Sequence, residues 1–180
     1  MQLSQAEMAF WEEYASTLKI RPRGAVTASI AGDQNIADEL LKLYLTGKKR
    51  AGSGLVRDYK KCNFPLPAVD AHWIVLNSEG KPACILRTAK VEVHQFDQVP
   101  AYVAEAEGEG DGSLEYWRKA HREFFEPYLE DLGVIDLEKE EVVTEFFELV
   151  YKANDPLPGQ KAKGQSGKSQ SGKGQKTKAK

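Results

Sequence analysis

The chain changes character at Asn154, and that change decides which residues can build a fold. Beyond Leu157 there is no aromatic and no β-branched apolar residue, and Gly159 to Lys180 is made almost wholly of Gly, Lys, Gln and Ser. Such a segment cannot bury enough apolar surface to offset chain entropy, so residues 155–180 are predicted to be a disordered basic tail. Charge divides close by. Seven of the 25 Lys+Arg and none of the 27 Asp+Glu fall between Gly159 and Lys180, leaving 18 bases against 27 acids elsewhere. That end therefore carries +7 and the rest of the chain a formal −9, a contrast hidden in the whole-chain value of −2. At 41% hydrophobic and 29% charged the chain is ordinary globular material with one real core. No apolar run approaches the roughly 18 residues of a membrane span. The polar start, Met1-Gln2-Leu3-Ser4-Gln5, runs directly into helical sequence, unlike a secretory signal. Cys62 and Cys84 form neither a disulfide framework nor a zinc motif, so a reducing, cytoplasmic setting is expected.

Hydrophobic periodicity places the elements. Ser4-Gln5-Ala6-Glu7 reads as a capping box, with Phe10, Trp11, Tyr14 and Leu18 on one face of the helix that follows. A second helix is predicted from Asp33 or Asn35, with Ala37, Leu40, Leu41 and Tyr44 buried and Gly47 past its end. From Ala51 to Phe96 the punctuation is that of β structure. Ala71–Leu76 and Ala83–Phe96 read as a hairpin across the Asn77 to Gly80 turn, with Ile85, Val91, Val93 and Phe96 inward. Helices are predicted from Gln98 to Ala106 and again from Ser113, where Leu114, Trp117, His121, Phe124, Phe125 and Tyr128 make a wide apolar stripe. Glu141 to Tyr151 reads as a last strand, with Val143, Phe147 and Leu149 inward. Strands and helices without regular alternation imply an α+β fold.

Three clusters can carry chemistry. Gly47-Lys48-Lys49-Arg50-Ala51-Gly52-Ser53-Gly54 is a basic, glycine-rich loop. It follows a helix and precedes a strand, the reverse of a phosphate-binding P-loop, yet it suits an anionic ligand. Its other reading is a helix end whose bases match the dipole. Glu105-Ala106-Glu107-Gly108-Glu109-Gly110-Asp111 is either a solvated acidic loop or the source of one pocket carboxylate paired with a cation of the first cluster. Trp117 and His121 share a helical face, which lines a cleft or simply joins the core. His72 and His94 read as strand or turn residues.

In order along the chain, Ala37-Asp38-Glu39-Leu40, Gly47-Lys48-Lys49-Arg50-Ala51, Pro65-Leu66-Pro67, the turn from Asn77 to Pro82, Glu107-Gly108-Glu109-Gly110-Asp111 with Ser113-Leu114, Trp117-Arg118 and His121, and Glu145 with Phe147 resemble the ASCH domain family of the PUA-like superfamily. The resemblance spans roughly residues 22–152, with residues 1–21 as a preceding helix and 155–180 as the tail. It implies a small mixed β-barrel with flanking helices and a cleft lined by the Gly-x-Lys loop. It also implies binding of RNA or of a nucleoside or nucleotide, some modified. Some members resemble hydrolases: an amidohydrolase on N(4)-acetylcytidine, or a metal-dependent ribonuclease. In the amidohydrolase pattern a lysine, a threonine three residues on and a distant glutamate act together. Here Gly47 and Lys49 match, the threonine position falls on Gly52, Ser53 is the adjacent hydroxyl, and the acid is Glu107 or Glu109.

Two functional readings follow. In a binding module, Gly47, Lys48, Lys49 and Arg50 contact the ligand, with Trp117 and His121 in the cleft wall and Trp73 or Tyr59 as a stacking face. In a hydrolase, Lys49, Ser53 and Glu107 or Glu109 are catalytic. No cofactor or resident metal is expected, a divalent ion entering only with ribonuclease activity. The acidic body favours a small ligand over a long polyanion, while the tail is expected to contact nucleic acid electrostatically.

Overall fold

Ser4 opens the fold as its capping box predicts. In the computed structural model, which describes residues 2–154, the Ser4 hydroxyl accepts from the Glu7 N–H at 3.3 Å and the Glu7 carboxylate accepts from the Ser4 N–H at 2.7 Å. The helix so started, α1 (Gln5–Ser16), buries Phe10, Trp11, Tyr14 and Ala15. After it come β1 (Val26–Ile30), α2 (Ala37–Leu45), β2 (Ala51–Leu55), α3 (Val56–Lys61), β3 (His72–Leu76) and β4 (Pro82–Gln95). A 3-10 turn at Phe96–Gln98, α4 (Ala101–Glu107), α5 (Leu114–Leu132), a turn at Leu137–Lys139 and β5 (Glu141–Lys152) complete the order.

The strands form one sheet in the order β1-β3-β4-β5-β2. β1 runs parallel to β3 and all other pairs are antiparallel. The long β4–β5 pair shifts register twice, between Ile85 and Leu86 and between Thr88 and Lys90. Bulges of this kind increase twist and bend the strand, and the sheet curls into a half-barrel. The α+β class and flanking helices predicted for the body are therefore present. The predicted disordered tail lies outside the described residues.

Alternation along β5 sends neighbouring residues to different helices. Val142 and Phe146 pack with α4 and α5 beside Phe96, Trp117 and Phe125. Phe147 packs with Leu41 and Tyr44 of α2. Further along the sheet, Ile74 and Ile85 meet Phe10 and Trp11 of α1. The sheet is thus covered on both faces, and α1 belongs to the same core.

Several local expectations are corrected. β1 and α3 are not apparent in the sequence pattern. Neither Asp33 nor Asn35 caps α2: Ile36 holds that position without a side-chain bond, and Asp33 accepts from the Asn35 N–H instead. The predicted helix at 98–106 begins only at Ala101, because residues 96–98 form a 3-10 turn and Pro100 precedes the helix. Val93 is 45% exposed and Leu149 37%; β3 pairs with β4 only over residues 82–87 and β2 with β5 only over 142–146, so both residues lie on strand segments paired on one side alone. The wide stripe of α5 narrows to Trp117 and Phe125, while Phe124 and Tyr128 are exposed. Among the described residues no helix is long and apolar enough to cross a membrane.

Since Trp11 is only 6% exposed against the sheet, Trp11→Ala should lower unfolding free energy by about 3–5 kcal/mol in urea denaturation. A loss under about 1 kcal/mol would mean that α1 is an appendage.

Candidate functional site

Gly47 takes a left-handed φ of 71° just beyond α2. The turn lets the Lys49 N–H reach the Leu43 carbonyl at 3.1 Å and the Arg50 N–H reach that of Ala106 at 2.6 Å. The Arg50 carbonyl accepts from the Phe147 N–H at 2.9 Å, so the basic loop is held between the end of α4 and β5. Gly108 closes the junction. It ends α4 with φ 63°, and a Cβ there would stand 2.1 Å from the Lys48 carbonyl oxygen. No larger residue fits that approach. The left-handed turn at Gly108 leaves Glu107 and Glu109, one on each side of it, bonded to the same amine.

That amine is Lys49 Nζ, 3.0 Å from Glu107 Oε2 and 2.6 Å from Glu109 Oε1. The Lys49 and Glu107 side chains are 6% and 3% exposed, whereas Glu109 is 35% exposed. Glu107 has further partners: Oε1 accepts from Ser53 Oγ at 2.6 Å and Trp117 Nε1 at 2.7 Å. Burial, the largest single influence, pushes the Glu107 carboxyl up. Lys49, His121, Ser53 and Trp117 together outweigh it and hold the group below the ordinary carboxylate range. His121 stacks on Trp117 with ring centres 4.0 Å apart, and its Nδ1 lies 2.9 Å from the Trp117 carbonyl oxygen. Burial lowers its pKa against the opposing pull of Glu107 and of the Trp117 carbonyl, and its Nε2 lies 3.5 Å from Glu107. Glu107 is a satisfied, buried anion rather than a poised base.

Ser53 and Gly52 face opposite sides of β2. Ser53 pairs across the sheet with Thr144, their hydroxyls 2.9 Å apart, on the Glu107 side. Gly52 pairs with Glu145 on the other side, and a Cβ at 52 would meet only Phe147, at 3.8 Å. Glu145 accepts from the Thr88 hydroxyl. Burial raises its pKa and the Thr88 bond only partly offsets this. Tyr59 covers Gly54 beside it. Tyr44 packs with Phe147 on the α2 side, its phenol raised by burial first and then by Glu109, Glu107, Cys84 and Glu145.

Two hollows adjoin the ion pair. One, between Glu107, Tyr116, Trp117 and His121, measures about 10 Å³. The other is an open depression of about 460 Å³ lined by Lys48, Glu105, Gly108, Gly110, Asp111 and Ser113, between the basic loop and the acidic loop. Only the second is large enough for a small organic ligand.

A sequence model of the ASCH domain matches residues 27–151. The chain belongs to the ASCH domain family. The fold is similar to that of an ASCH domain from Lactobacillus crispatus JV V101, with 32% identity, a TM-score of 0.75, and coverage of 84% of this chain and 98% of that one. It is also similar to that of a protein from Enterococcus faecalis V583, with 24% identity, a TM-score of 0.70, and coverage of 83% and 95%. No curated protein gives a significant match.

In this ASCH domain Lys49, Ser53, Glu107, Glu109, Trp117 and His121 come together. Gly47 and Lys48 are exposed in the loop above them, and Arg50 is exposed outside the cluster. Trp117 and His121 stand behind the ion pair as its support, Trp117 being only 3% exposed. Thr144, Tyr44, Glu145 and Thr88 are additional members. Tyr44 was legible as part of the buried stripe of α2, and Glu145 as an acid alternating into a strand whose two faces both prove to be covered. Among the described residues no cluster of three His, Cys, Asp or Glu is arranged to hold a metal ion.

Breaking the buried pair should cost far more than breaking the exposed one. Lys49→Met should lose about 3–5 kcal/mol of unfolding free energy in urea, whereas Glu109→Gln should lose under about 1 kcal/mol. Glu145 carries the opposite sign. Its raised folded-state pKa means that ionisation opposes folding: the cost is absent below the unfolded glutamate value of about 4.3 and grows as pH rises through the folded value. Glu145→Gln should therefore be more stable than wild type at pH 7, the difference closing below about pH 4 in thermal denaturation across pH.

Proposed function

We propose that this ASCH domain binds a nucleoside or nucleotide, free or as an unpaired element of RNA, in the depression between the basic and acidic loops. The observation that carries the reading is the depression itself: about 460 Å³, lined by Lys48 of the basic loop and by the acidic loop, two segments that the Lys49–Glu107–Glu109 ion pair joins. Ligand pockets for small molecules run from about 300 to 1,000 Å³. Exposed Lys48 supplies a cation for a phosphate or a base carbonyl. Glu105 and Asp111 supply acceptors for base amines and ribose hydroxyls. The exposed ring of Tyr116 lies directly on Gly110, where a Cβ would come within 2.4 Å of it, and offers a stacking face at the rim. Carboxylates in the wall and a body charge of −9 disfavour a long polyanion there. The basic tail supplies the contact to longer RNA.

Calorimetric titration with nucleosides, mononucleotides and a short structured RNA at low salt tests this. At least one nucleoside or nucleotide should bind saturably, and Lys48→Ala should weaken it by roughly tenfold. Removing residues 159–180 should lower RNA affinity at low salt and leave nucleotide affinity unchanged. Absence of saturable binding across the whole panel sinks the proposal.

A second reading, hydrolysis of an acylated nucleoside such as N(4)-acetylcytidine, has one observation in its favour: Ser53 Oγ donates to Glu107 at 2.6 Å while Lys49 holds the other carboxylate oxygen. Against it, the space beside Glu107 is about 10 Å³, room for one water and not for a nucleoside. Incubation with N(4)-acetylcytidine, and with RNA with and without divalent metal, separates the two. The binding reading expects no turnover by wild type; turnover abolished by Ser53→Ala establishes the hydrolase. Gly52→Thr, whose Cβ meets Phe147 at an ordinary contact of 3.8 Å, should fold within about 1 kcal/mol of wild type and shows whether a hydroxyl on the Glu145 side confers activity.

A further inference from the structure

The outer side of α5 carries large apolar side chains left open to water. Tyr116 is 41% exposed, Phe124 58% and Tyr128 55%, and Ile135, just past the helix, is fully exposed. Phe124 meets Phe125 at 5.4 Å and Tyr128 at 6.3 Å, ring centre to ring centre. Tyr116, Ala120, Phe124 and Tyr128 stand at steps of four residues, a ridge of the kind that packs one helix against another. Exposed apolar groups gathered on one face mark an interaction surface.

Their order reads nearly alike from either end. Eight residues separate Tyr116 from Phe124, four separate Phe124 from Tyr128, and seven separate Tyr128 from Ile135. An isologous interface has this symmetry, because each group meets the image of another across a two-fold axis. An antiparallel second copy, turned about a dyad at residues 125–126, sets Phe124 against the partner's Tyr128 and Tyr116 against the partner's Ile135.

Charge follows the same symmetry. Arg118 donates to the Asp97 carbonyl at 3.0 Å and Arg122 pairs with Glu138, which leaves Lys119 as the cation of α5 with no partner among the described residues. Glu130 is exposed, and its carboxylate is likewise unpaired among them. Eleven residues make about three turns, so the two share a flank about 16 Å apart and cannot meet within one chain. The dyad brings Lys119 of each copy toward Glu130 of the other. A whole-chain charge of −2 leaves little net repulsion between copies. The basic tail is a poorer occupant, for beyond Leu157 it has no aromatic, Leu, Ile, Val or Met side chain to lay on the rings.

We propose that this side of α5 is the interface of a symmetric homodimer, with the two helices antiparallel, their ridges interdigitated and Lys119–Glu130 pairs related by the dyad. An interface of one helix per copy lies near the low end of specific association, about 1,200 Å² in total, and forms at roughly micromolar concentration.

Sedimentation equilibrium of the full chain over a concentration series tests this. The apparent mass should rise from the 20.1 kDa of one chain toward twice that value. Phe124→Glu should weaken the dimer by more than about a hundredfold, with an unchanged far-ultraviolet circular dichroism spectrum reporting the intact fold. Lys119→Glu and Glu130→Lys, both surface changes, should each weaken it by roughly tenfold, and the two together should restore it. A chain monomeric at every concentration overturns the proposal, as does a dimer that Phe124→Glu leaves as tight as wild type. A double charge reversal as weak as the single ones overturns the antiparallel pairing. A dimer lost when residues 159–180 are removed places the contact in the tail and overturns the assignment to α5.

Discussion

The arrangement of the loops depends on one amine. Lys49 is buried, and a buried ammonium is tolerated only when paired and hydrogen-bonded. Its two carboxylate partners come from one short loop, on either side of a glycine that can approach the Lys48 backbone because it has no side chain. The contact joins the end of α2 to the end of α4, elements separated in sequence by three strands. It therefore sets the distance between the basic and acidic loops more firmly than either loop's own conformation does.

The sheet divides the surrounding chemistry into two sides that the chain's linear order conceals. Ser53, Thr144 and Glu107 lie on the side covered by α4 and α5; Gly52, Glu145 and Thr88 lie on the side of α2. The hydroxyl that the family pattern expects at position 52 would stand on the second side, so Ser53 is no substitute for it by proximity. Its hydroxyl is absorbed into holding Glu107. A carboxylate with its donors complete and its charge stabilised is poorly suited to taking a proton, whereas Glu145, with a raised pKa and a single hydroxyl donor, retains that capacity.

Much of this was legible wherever a local rule acts alone. The Ser4 capping box, the glycine after α2, the β3–β4 hairpin and the Ser113 start of α5 all follow from short-range chemistry. So did the residue types meeting in the ion pair, because a cation loop and an acid loop without other partners have few ways to be buried. The losses have physical causes too. α3 has six residues, fewer than two helical turns, too short to show a period. β1 alternates Val26, Ala28 and Ile30 with Thr27 and Ser29, a weak pattern because none of its residues is fully buried. In β5 the alternation misled, since Val142, Val143 and Thr144 are all buried between helices on both faces. The support given to Glu107 by Thr144, and the nearness of Tyr44 to three carboxylates, arise from strand pairing and helix packing that no local pattern encodes.

A buried ion pair seldom adds net stability over a well-packed apolar alternative, so its presence calls for a reason other than stability. Position supplies one. The pair fixes two glycine-rich loops that would otherwise sample many conformations, and the depression between them then exists before any ligand arrives. Pre-ordering the loops removes an entropic cost from binding. The same logic separates the roles of the acids: Glu107 serves the architecture from inside, Glu109 sits at the boundary with water, and Glu105 and Asp111 are left facing the depression. In the proposed binding function, recognition falls to the outermost charges, with the innermost ones determining where those charges stand.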